Sequence, residues 1–316
     1  MSDFFHSLSA EQWLLVGFGV FIIVFLFIDL GIFQKRAHKV GPQRALLQVL
    51  FWIFMAASFA FLIALYKGKE MAYQFVAAYI TEESLSVDNM FLFILIFRYF
   101  RISEHLHHKV LFYGVLGAII FRGIFISAGS LLIAQFHWIL YVFGAILVFT
   151  GVKLFLTKED MKFEPKENLV YNFLTKNLRF TPLAPEDKFW IFKGKKIYFT
   201  TLFLVVCLVE TTDIIFAVDS IPAVFAISQD PFVVYTSNIF AVMGLRALYF
   251  LLSDVMKRIH FLQTGLAFIL AFIGVKMLLE IADIKLSSKY SLIVIAMILT
   301  VTIIASVTVR QKENKS

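Results

Sequence analysis

Charged residues are scarce in this chain of 316 residues. Asp, Glu, Lys and Arg together make up 16% of the sequence, against about 25% in an ordinary soluble domain. Hydrophobic residues make up 60%, and the mean hydropathy is +0.84. This balance excludes a soluble globular domain. It predicts an all-α membrane protein that crosses the lipid bilayer several times.

Cysteine is also nearly absent, because Cys207 is the only one. The chain therefore cannot form an internal disulfide, and a single cysteine within an apolar run is expected to be a small packing residue. The sequence contains no G-x-x-x-x-G-K-[ST] loop, the phosphate-binding motif of many ATPases. We expect neither an enzyme activity nor a bound cofactor.

Nine apolar runs are long enough to span a bilayer, which takes about 20 residues. The connections between them alternate between rich and poor in Lys and Arg. Because positively charged loops stay in the cytosol, the alternation predicts a membrane protein with its N-terminus outside and its C-terminus in the cytosol. These loops also account for the net charge of +7, so the expected partner is the lipid bilayer and not a nucleic acid. The predicted spans are 13–33, 46–66, 71–97, 109–134, 137–157, 198–228, 232–252, 261–281 and 289–309.

A long polar segment divides the chain into two halves. Residues 158–197 contain nine Lys and Arg, six Asp and Glu, and three prolines. We interpret this segment as a cytosolic linker; the alternative is a small docking element for membrane-protein partners. The predicted divisions are two peripheral helices in 1–70, a first repeat in 71–157, the linker, a second repeat in 198–281, and a final span with a cytosolic tail in 282–316.

Two acidic stretches inside apolar runs, 82–89 and 210–223, are copies of each other. A carboxylate in the middle of a bilayer costs about 2.5–3.5 kcal/mol on insertion scales, so such groups mark functional sites. The alignment pairs Glu82 with Asp213, Asp88 with Asp219, and Asn89 with Ser220.

The repeat continues beyond the acidic stretches. Phe-Arg-Gly around Arg122 matches Leu-Arg-Ala around Arg246, and Gly-Val-Lys ending at Lys153 matches Gly-Val-Lys ending at Lys276. Each copy occupies three successive spans, and because three is odd the second copy must cross the membrane in the opposite direction. The sequence therefore predicts two inverted three-helix repeats.

The spans that carry the acidic stretches look too long for a straight helix. Residues 198–228 would form a helix of about 46 Å, whereas the hydrocarbon core is about 30 Å thick. Pro222 cannot donate a hydrogen bond to the carbonyl of Val218, so we predict a break beside Asp219. Two such broken helices would bring Asp88 and Asp219 together at the middle of the bilayer.

The candidate ligands are all oxygen donors, with no His or Cys among them. Such a site suits Mg²⁺, Ca²⁺ or Mn²⁺ rather than Cu⁺ or Zn²⁺. In the alternative interpretation, the acids have only a structural role and pair with the basic residues. The expected metal ligands are Asp88, Asn89, Glu210, Asp213, Asp219 and Ser220; the expected proton-coupling or accessory acids are Glu82, Glu83 and Asp29; and the expected counter-charges or gates are Arg122, Arg246, Lys153 and Lys276.

Several of these residues have competing interpretations. Asp29 is either an interfacial acid or a ligand on the exit path. Lys153 and Lys276 lie near span ends, so their ammonium groups are expected to reach the membrane interface. The run 105–108, which contains three histidines, is expected to be a solvated loop, with metal capture or pH sensing as the alternative.

With both acidic motifs in view, the chain resembles the TerC family over nearly its whole length. The motifs that carry the resemblance are Glu-x-Ser-Leu-Ser-Val-Asp-Asn and Glu-x-x-Asp-Ile-Ile-Phe-Ala-Val-Asp-Ser-Ile-Pro-Ala. The resemblance implies a role in tellurium resistance or metal homeostasis, and export of Mn²⁺ from the cytosol. Proton antiport is the expected coupling. A membrane scaffold that supports metal delivery, and an intramembrane hydrolase with an aspartyl pair, are the alternatives.

Overall fold

The computed structural model describes residues 10–28, 41–136, 138–156, 168–181, 187–255, 262–279, 284 and 286–313. Helices dominate these residues, and one two-stranded hairpin lies between the two halves. The elements are α1 (Ala10–Ile28), α2 (Pro42–Tyr66), α3 (Lys69–Tyr99), α4 (Glu104–Gln135), α5 (Ile139–Leu156), α6 (Leu169–Asn177), β1 (Trp190–Lys193), β2 (Lys196–Phe199), α7 (Thr201–Phe225), α8 (Pro231–Val255), α9 (Leu262–Leu279) and α10 (Ser288–Glu313).

Six helices in the described part of the chain are long and apolar enough to cross a membrane, namely α2, α4, α5, α7, α8 and α10. Each of the nine predicted spans overlaps a helix. The apolar stretches of α1 and α9 are shorter, however, and α3 carries Glu82, Glu83 and Asp88 near its middle. The structure therefore supports an all-α membrane protein. A count of nine spans stays a prediction.

Helix α8 lies at the centre of the bundle. Its apolar window is 83% buried inside the protein, compared with 22% for α2 and α10. It packs against α2, α3 and α4, while α3 and α4 also contact α7. The peripheral helices leave large apolar side chains exposed, such as Phe54 and Val301, as expected for a surface that faces lipid.

The two helices that carry the acidic stretches run antiparallel. The hydroxyl of Ser228, just after α7, donates to Gln74 Oε1 near the start of α3 at 2.6 Å. At the same end of the bundle, Lys67 Nζ lies 3.2 Å from Asp230 Oδ2. The start of α3 is therefore fixed against the end of α7.

The closest helix pair is α5 with α9, which cross at glycines. A Cβ atom on Gly274 would lie 2.7 Å from the backbone nitrogen of Val148, and one on Gly151 would lie 2.8 Å from that of Ala271. Such contacts require glycine, because any side chain would push the two backbones apart.

The predicted breaks in the acidic helices are wrong. Helix α3 continues for 31 residues and α7 for 25, and α7 runs through Pro222. Pro222 removes one hydrogen bond, the one to the carbonyl of Val218, yet the helix continues to Phe225, and the amide of Ala226 bonds to the carbonyl of Pro222 at 3.0 Å. The apolar run that ends near residue 228 looked too long because it includes the turn after α7.

Part of the central segment forms regular structure in the described residues, and its interpretation as a cytosolic linker stays a prediction. Helix α6 and the β1–β2 hairpin lie within it, and Thr181 donates its amide to the carbonyl of Phe199 at 3.0 Å. Thr200 then caps α7, because its hydroxyl accepts from the amide of Phe203 at 3.4 Å. The hairpin is thus joined to α7 through Thr200 alone.

Candidate functional site

Arg122 lies fully buried in the middle of α4 and contacts side chains from three other helices. Its Nη1 donates to Glu82 Oε1 of α3, and to Asn238 Oδ1 of α8 at 2.6 Å. Its Nε and Nη2 donate to the carboxylate of Asp213 on α7, each at 3.4 Å. The pairing expected between Arg122 and motif acids is therefore present, while a gating role for Arg122 stays a prediction.

The charges in this Arg122 cluster do not balance. Glu82 is completely buried and Asp213 is 5% exposed, and the two carboxylates share one guanidinium. With both carboxylates ionised, the cluster carries a formal charge of −1. Because an uncompensated buried charge is costly, the cluster favours binding of a further cation or a proton.

Polar atoms without partners lie on both sides of the cluster. Ser86 follows Glu82 by four residues on α3, and Ser220 follows Asp213 by seven on α7, so each serine lies on the same helix face as its acid. The two helices are antiparallel, which places the serines towards opposite ends of the bundle. Neither hydroxyl, nor Oε2 of Glu82, has a hydrogen-bond partner among the described residues.

Continuous helices also separate the two aspartate positions that were expected to converge. Positions 88 and 219 each lie six residues beyond the acids that meet at Arg122, which is about 9 Å along each helix. Because α3 and α7 are antiparallel, these displacements point in opposite directions. The side chains of Asp88 and Asp219 lie outside the described part of the structure, as does Asp29 entirely.

Two further acids pack against glycines. The carboxylate of Glu210 fills the space that a Cβ on Gly117 of α4 would occupy, and its Oε2 is buried without a described hydrogen-bond partner. Oε1 of Glu83 would lie 2.9 Å from a Cβ on Gly244 of α8. The two glycines therefore allow carboxylates to approach the neighbouring helix backbones.

The matched lysines differ in their surroundings. Lys153 is exposed, as expected for a side chain that reaches the interface. Lys276 is only 3% exposed and donates to the carbonyl of Ala226 at 3.2 Å, so the same expectation is wrong for it. A cation is stabilised there because the carbonyls at the end of α7 carry negative partial charge. Arg246 lies half-buried on α8 and lines a cavity of about 290 Å³ with Gln48.

Asn238 belongs to the cluster but was not predicted from the sequence. It ends the run Thr236, Ser237, Asn238, whose members are all completely buried within the otherwise apolar α8. Three consecutive polar residues in a predicted span were the signal that could have found it. Asn89 is buried as well, at 2% exposure. Within the described residues, no three His, Cys, Asp or Glu side chains are grouped closely enough to hold a metal ion.

Comparison with known proteins assigns the family. Residues 67–314 match the model of the "Integral membrane protein TerC family". The "Putative membrane-bound redox modulator Alx" of Salmonella typhi is 43% identical over 308 residues, covering 95% of each chain. Alx of Escherichia coli K12 is 45% identical over 272 residues, covering 83% of this chain and 84% of its own. An uncharacterised membrane protein of Myxococcus xanthus is 41% identical over 292 residues, covering 92% and 90%.

No solved structure matches the chain. The family match covers α3 to α10, which includes the whole Arg122 cluster. The chain therefore belongs to the TerC family of integral membrane proteins.

Proposed function

We propose that this protein is a secondary transporter that exports Mn²⁺ from the cytosol across the bacterial inner membrane in exchange for protons. The observation that carries the proposal is the Arg122 cluster, in which two buried carboxylates from matching motifs share one guanidinium. Its excess negative charge and its unpaired oxygens suit a hard divalent cation. The resemblance to the TerC family, which implies manganese export, favours Mn²⁺ over Ca²⁺ and Mg²⁺.

The proposed architecture is a pair of inverted three-helix repeats, α3–α5 and α7–α9. The contacts between α5 and α9 support this architecture, because the glycines of the two helices contact each other symmetrically about a local twofold axis. A Cβ on Gly274 would lie 2.8 Å from the carbonyl oxygen of Gly144, and one on Gly151 would lie 2.8 Å from that of Ala267. In the alignment of the repeats, Gly151 matches Gly274 and Gly144 matches Ala267. Each of the two contacts is therefore the equivalent of the other in the opposite repeat.

The ion would move between two half-sites on either side of Arg122. The inner half-site contains Ser86, Asn89 and Glu210 together with position 88. The outer half-site contains Ser220 and position 219. Arg122 holds Glu82 and Asp213 when the ion is absent, and the approach of a cation competes for these carboxylates.

Proton exchange would use the acids that the ion does not occupy. Glu83 on α3 and Asp29 in the first predicted span are the candidates throughout the cycle, and Glu82 and Glu210 become candidates once the ion has left them. Protons that enter from outside replace the positive charge that the departing ion removes, and two protons are needed to balance one Mn²⁺ fully. Such exchange keeps the buried charge nearly constant through the cycle, which avoids the cost of an unpaired carboxylate.

The test is Mn²⁺ flux in proteoliposomes with and without an imposed pH gradient. Wild type is compared with Asp88→Asn and Asp219→Asn, and with Asp187→Asn as a control because Asp187 is an exposed acid outside the spans. We expect flux that follows the gradient in wild type and in the control and is lost in both other variants. If wild type moves no Mn²⁺, Ca²⁺ or Mg²⁺, or if all variants match it, the proposal is wrong.

A membrane scaffold that supports metal delivery to other proteins is the second candidate. The observation that favours it is the ordered part of the central segment, where α6 packs on α7 and Phe189, just before β1, contacts Lys109 of α4. This candidate predicts that removal of the segment abolishes function while the buried acids are dispensable. The name of Alx includes a redox role. This chain has a single cysteine, so it cannot form an internal dithiol pair.

A further inference from the structure

The β1–β2 hairpin has one face made entirely of apolar side chains. The strands pair antiparallel, with Trp190 opposite Phe199 and Phe192 opposite Ile197. These two pairs are separated by one position, so all four side chains lie on the same face of the hairpin.

Most of this apolar face, which is called the aromatic face below, is exposed. Trp190 is 51% exposed, Phe192 is 68% exposed and Ile197 is 47% exposed. Phe199 is more protected, because its ring lies 4.5 Å from that of Phe203. A contiguous exposed group of this kind, in a polar segment, marks a contact surface.

The tip of the hairpin is strongly basic. Gly194 adopts a φ of 64° in the turn, and exposed lysines surround it at positions 193, 195 and 196. With Lys188, residues 187–199 contain four lysines against one acid, Asp187. The hairpin therefore combines an aromatic face with a net charge of about +3 at neutral pH.

The hairpin is held close to the membrane-spanning helices. Phe189, which precedes β1, packs its ring 4.9 Å from that of Tyr113 on α4 and lies 4.7 Å from Lys109 Nζ. The hydroxyl of Thr200 donates to the carbonyl of Lys188 at 2.6 Å. Because α7 begins at Thr201, the hairpin is fixed at the level where α4 and α7 enter the apolar part of the bundle.

We propose that the hairpin docks on the surface of the bilayer, with its aromatic face among the lipid headgroups and its lysines on anionic phosphates. Trp and other aromatic residues favour this interface, and lysine is attracted by acidic lipids. Charge complementarity and continuity with α7 favour lipid over a second copy of the chain. The proposal does not depend on which ion, if any, the protein transports.

The experiment places an environment-sensitive fluorophore on the aromatic face of the full-length protein. Ile197→Cys and Phe192→Cys are made separately in a Cys207→Ser background, labelled, and reconstituted with phosphatidylcholine alone or with phosphatidylglycerol added. Quenching by spin-labelled lipid is compared with quenching by aqueous iodide. Tyr198→Cys is the matched control, because position 198 lies on the opposite face of the hairpin.

In anionic vesicles we expect lipid quenching and a blue-shifted emission at positions 192 and 197, and iodide quenching at position 198. Replacing Lys195 in the turn by Gln should lower the ratio of docked to free hairpin about fivefold, whereas Lys196→Gln should lower it less, because position 196 lies on the same face as position 198. Iodide quenching of both face positions in every vesicle would overturn the proposal. Protection that depends on the protein-to-lipid ratio and not on spin-labelled lipid would also overturn it, in favour of contact between copies.

Discussion

At the scale of single residues, Arg122 supplies the positive charge that stabilises the buried carboxylates of Glu82 and Asp213. Its guanidinium is the described cation that contacts both Glu82 and Asp213. Because removing one partner of a buried ion pair leaves an uncompensated charge, we expect Arg122→Gln to lower the free energy of unfolding by about 3–5 kcal/mol. Thermal unfolding in detergent is the measurement.

A second variant separates charge from packing in the Arg122 cluster. Glu82→Gln combined with Arg122→Gln removes one charge of each sign, so it should recover part of the lost stability. Arg98→Gln, an exposed arginine on α3, should have little effect. Equal destabilisation by the single and the double variant would show that the arginine acts through packing alone.

Gly117 tests the position of Glu210. A methyl group at position 117 would occupy the space of the Glu210 carboxylate, so Gly117→Ala should displace that side chain and reduce ion flux. Gly123→Ala on the same helix is the matched control, because its methyl would meet Tyr235 at an ordinary 3.5 Å. Equal flux in both variants, with both proteins folded, would exclude Glu210 from the transport path.

At the scale of helices, much of the fold could be predicted from hydropathy, and its failures have physical causes. Each predicted span overlaps a helix because backbone groups in lipid must be satisfied internally. The predicted break in α7 was wrong because one missing backbone donor at Pro222 does not interrupt the helix, which continues to Phe225. The hairpin was missed because its two strands have only four residues each.

The candidate site was only partly predictable for a related reason. The repeat identified Glu82, Asp213 and Arg122, since charged residues stand out in an apolar sequence. Whether Glu82, Asp213 and Arg122 lie at the same height in the bundle depends on how α3 and α7 pack. No local sequence pattern specifies that packing. Asn238 has no counterpart in the first repeat, because Gly114 lies at the equivalent distance from Arg122, so the repeat could not reveal it.

At the α5–α9 crossing, the packing leaves no space for a methyl group on the glycines. Adding a methyl group to Gly274 or Gly151 would bring a carbon within 2.7–2.8 Å of a backbone nitrogen on the partner helix. We expect Gly274→Ala and Gly151→Ala each to lower the free energy of unfolding by about 1–3 kcal/mol, the usual cost of overpacking. Thermal unfolding in detergent measures the loss.

The control for this crossing is Gly19→Ala in α1, where nothing lies within 4 Å of the added methyl. Because alanine is a better helix former than glycine, this variant should be neutral or slightly stabilising. If Gly274→Ala were as stable as Gly19→Ala, α5 and α9 would not cross at these glycines.

At the scale of the whole molecule, side-chain contacts define two ends. Lys67 meets Asp230 at one end. At the other end, Lys109 of α4 donates to the carbonyl of Asp187, next to the hairpin. The excess of Lys and Arg on the hairpin side predicts that this end faces the cytosol. The connection between α2 and α3 would then lie outside.

Accessibility of engineered thiols tests that orientation directly. Lys69→Cys and Lys195→Cys are placed separately in a Cys207→Ser background, since both positions are exposed and lie at opposite ends. A membrane-impermeant thiol reagent applied to intact cells should label position 69, and position 195 only after the membrane is permeabilised. Labelling of position 195 in intact cells would reverse the orientation. In that case the serine and acids of the proposed inner half-site would face outward, and the proposed names of the inner and outer half-sites would have to be exchanged.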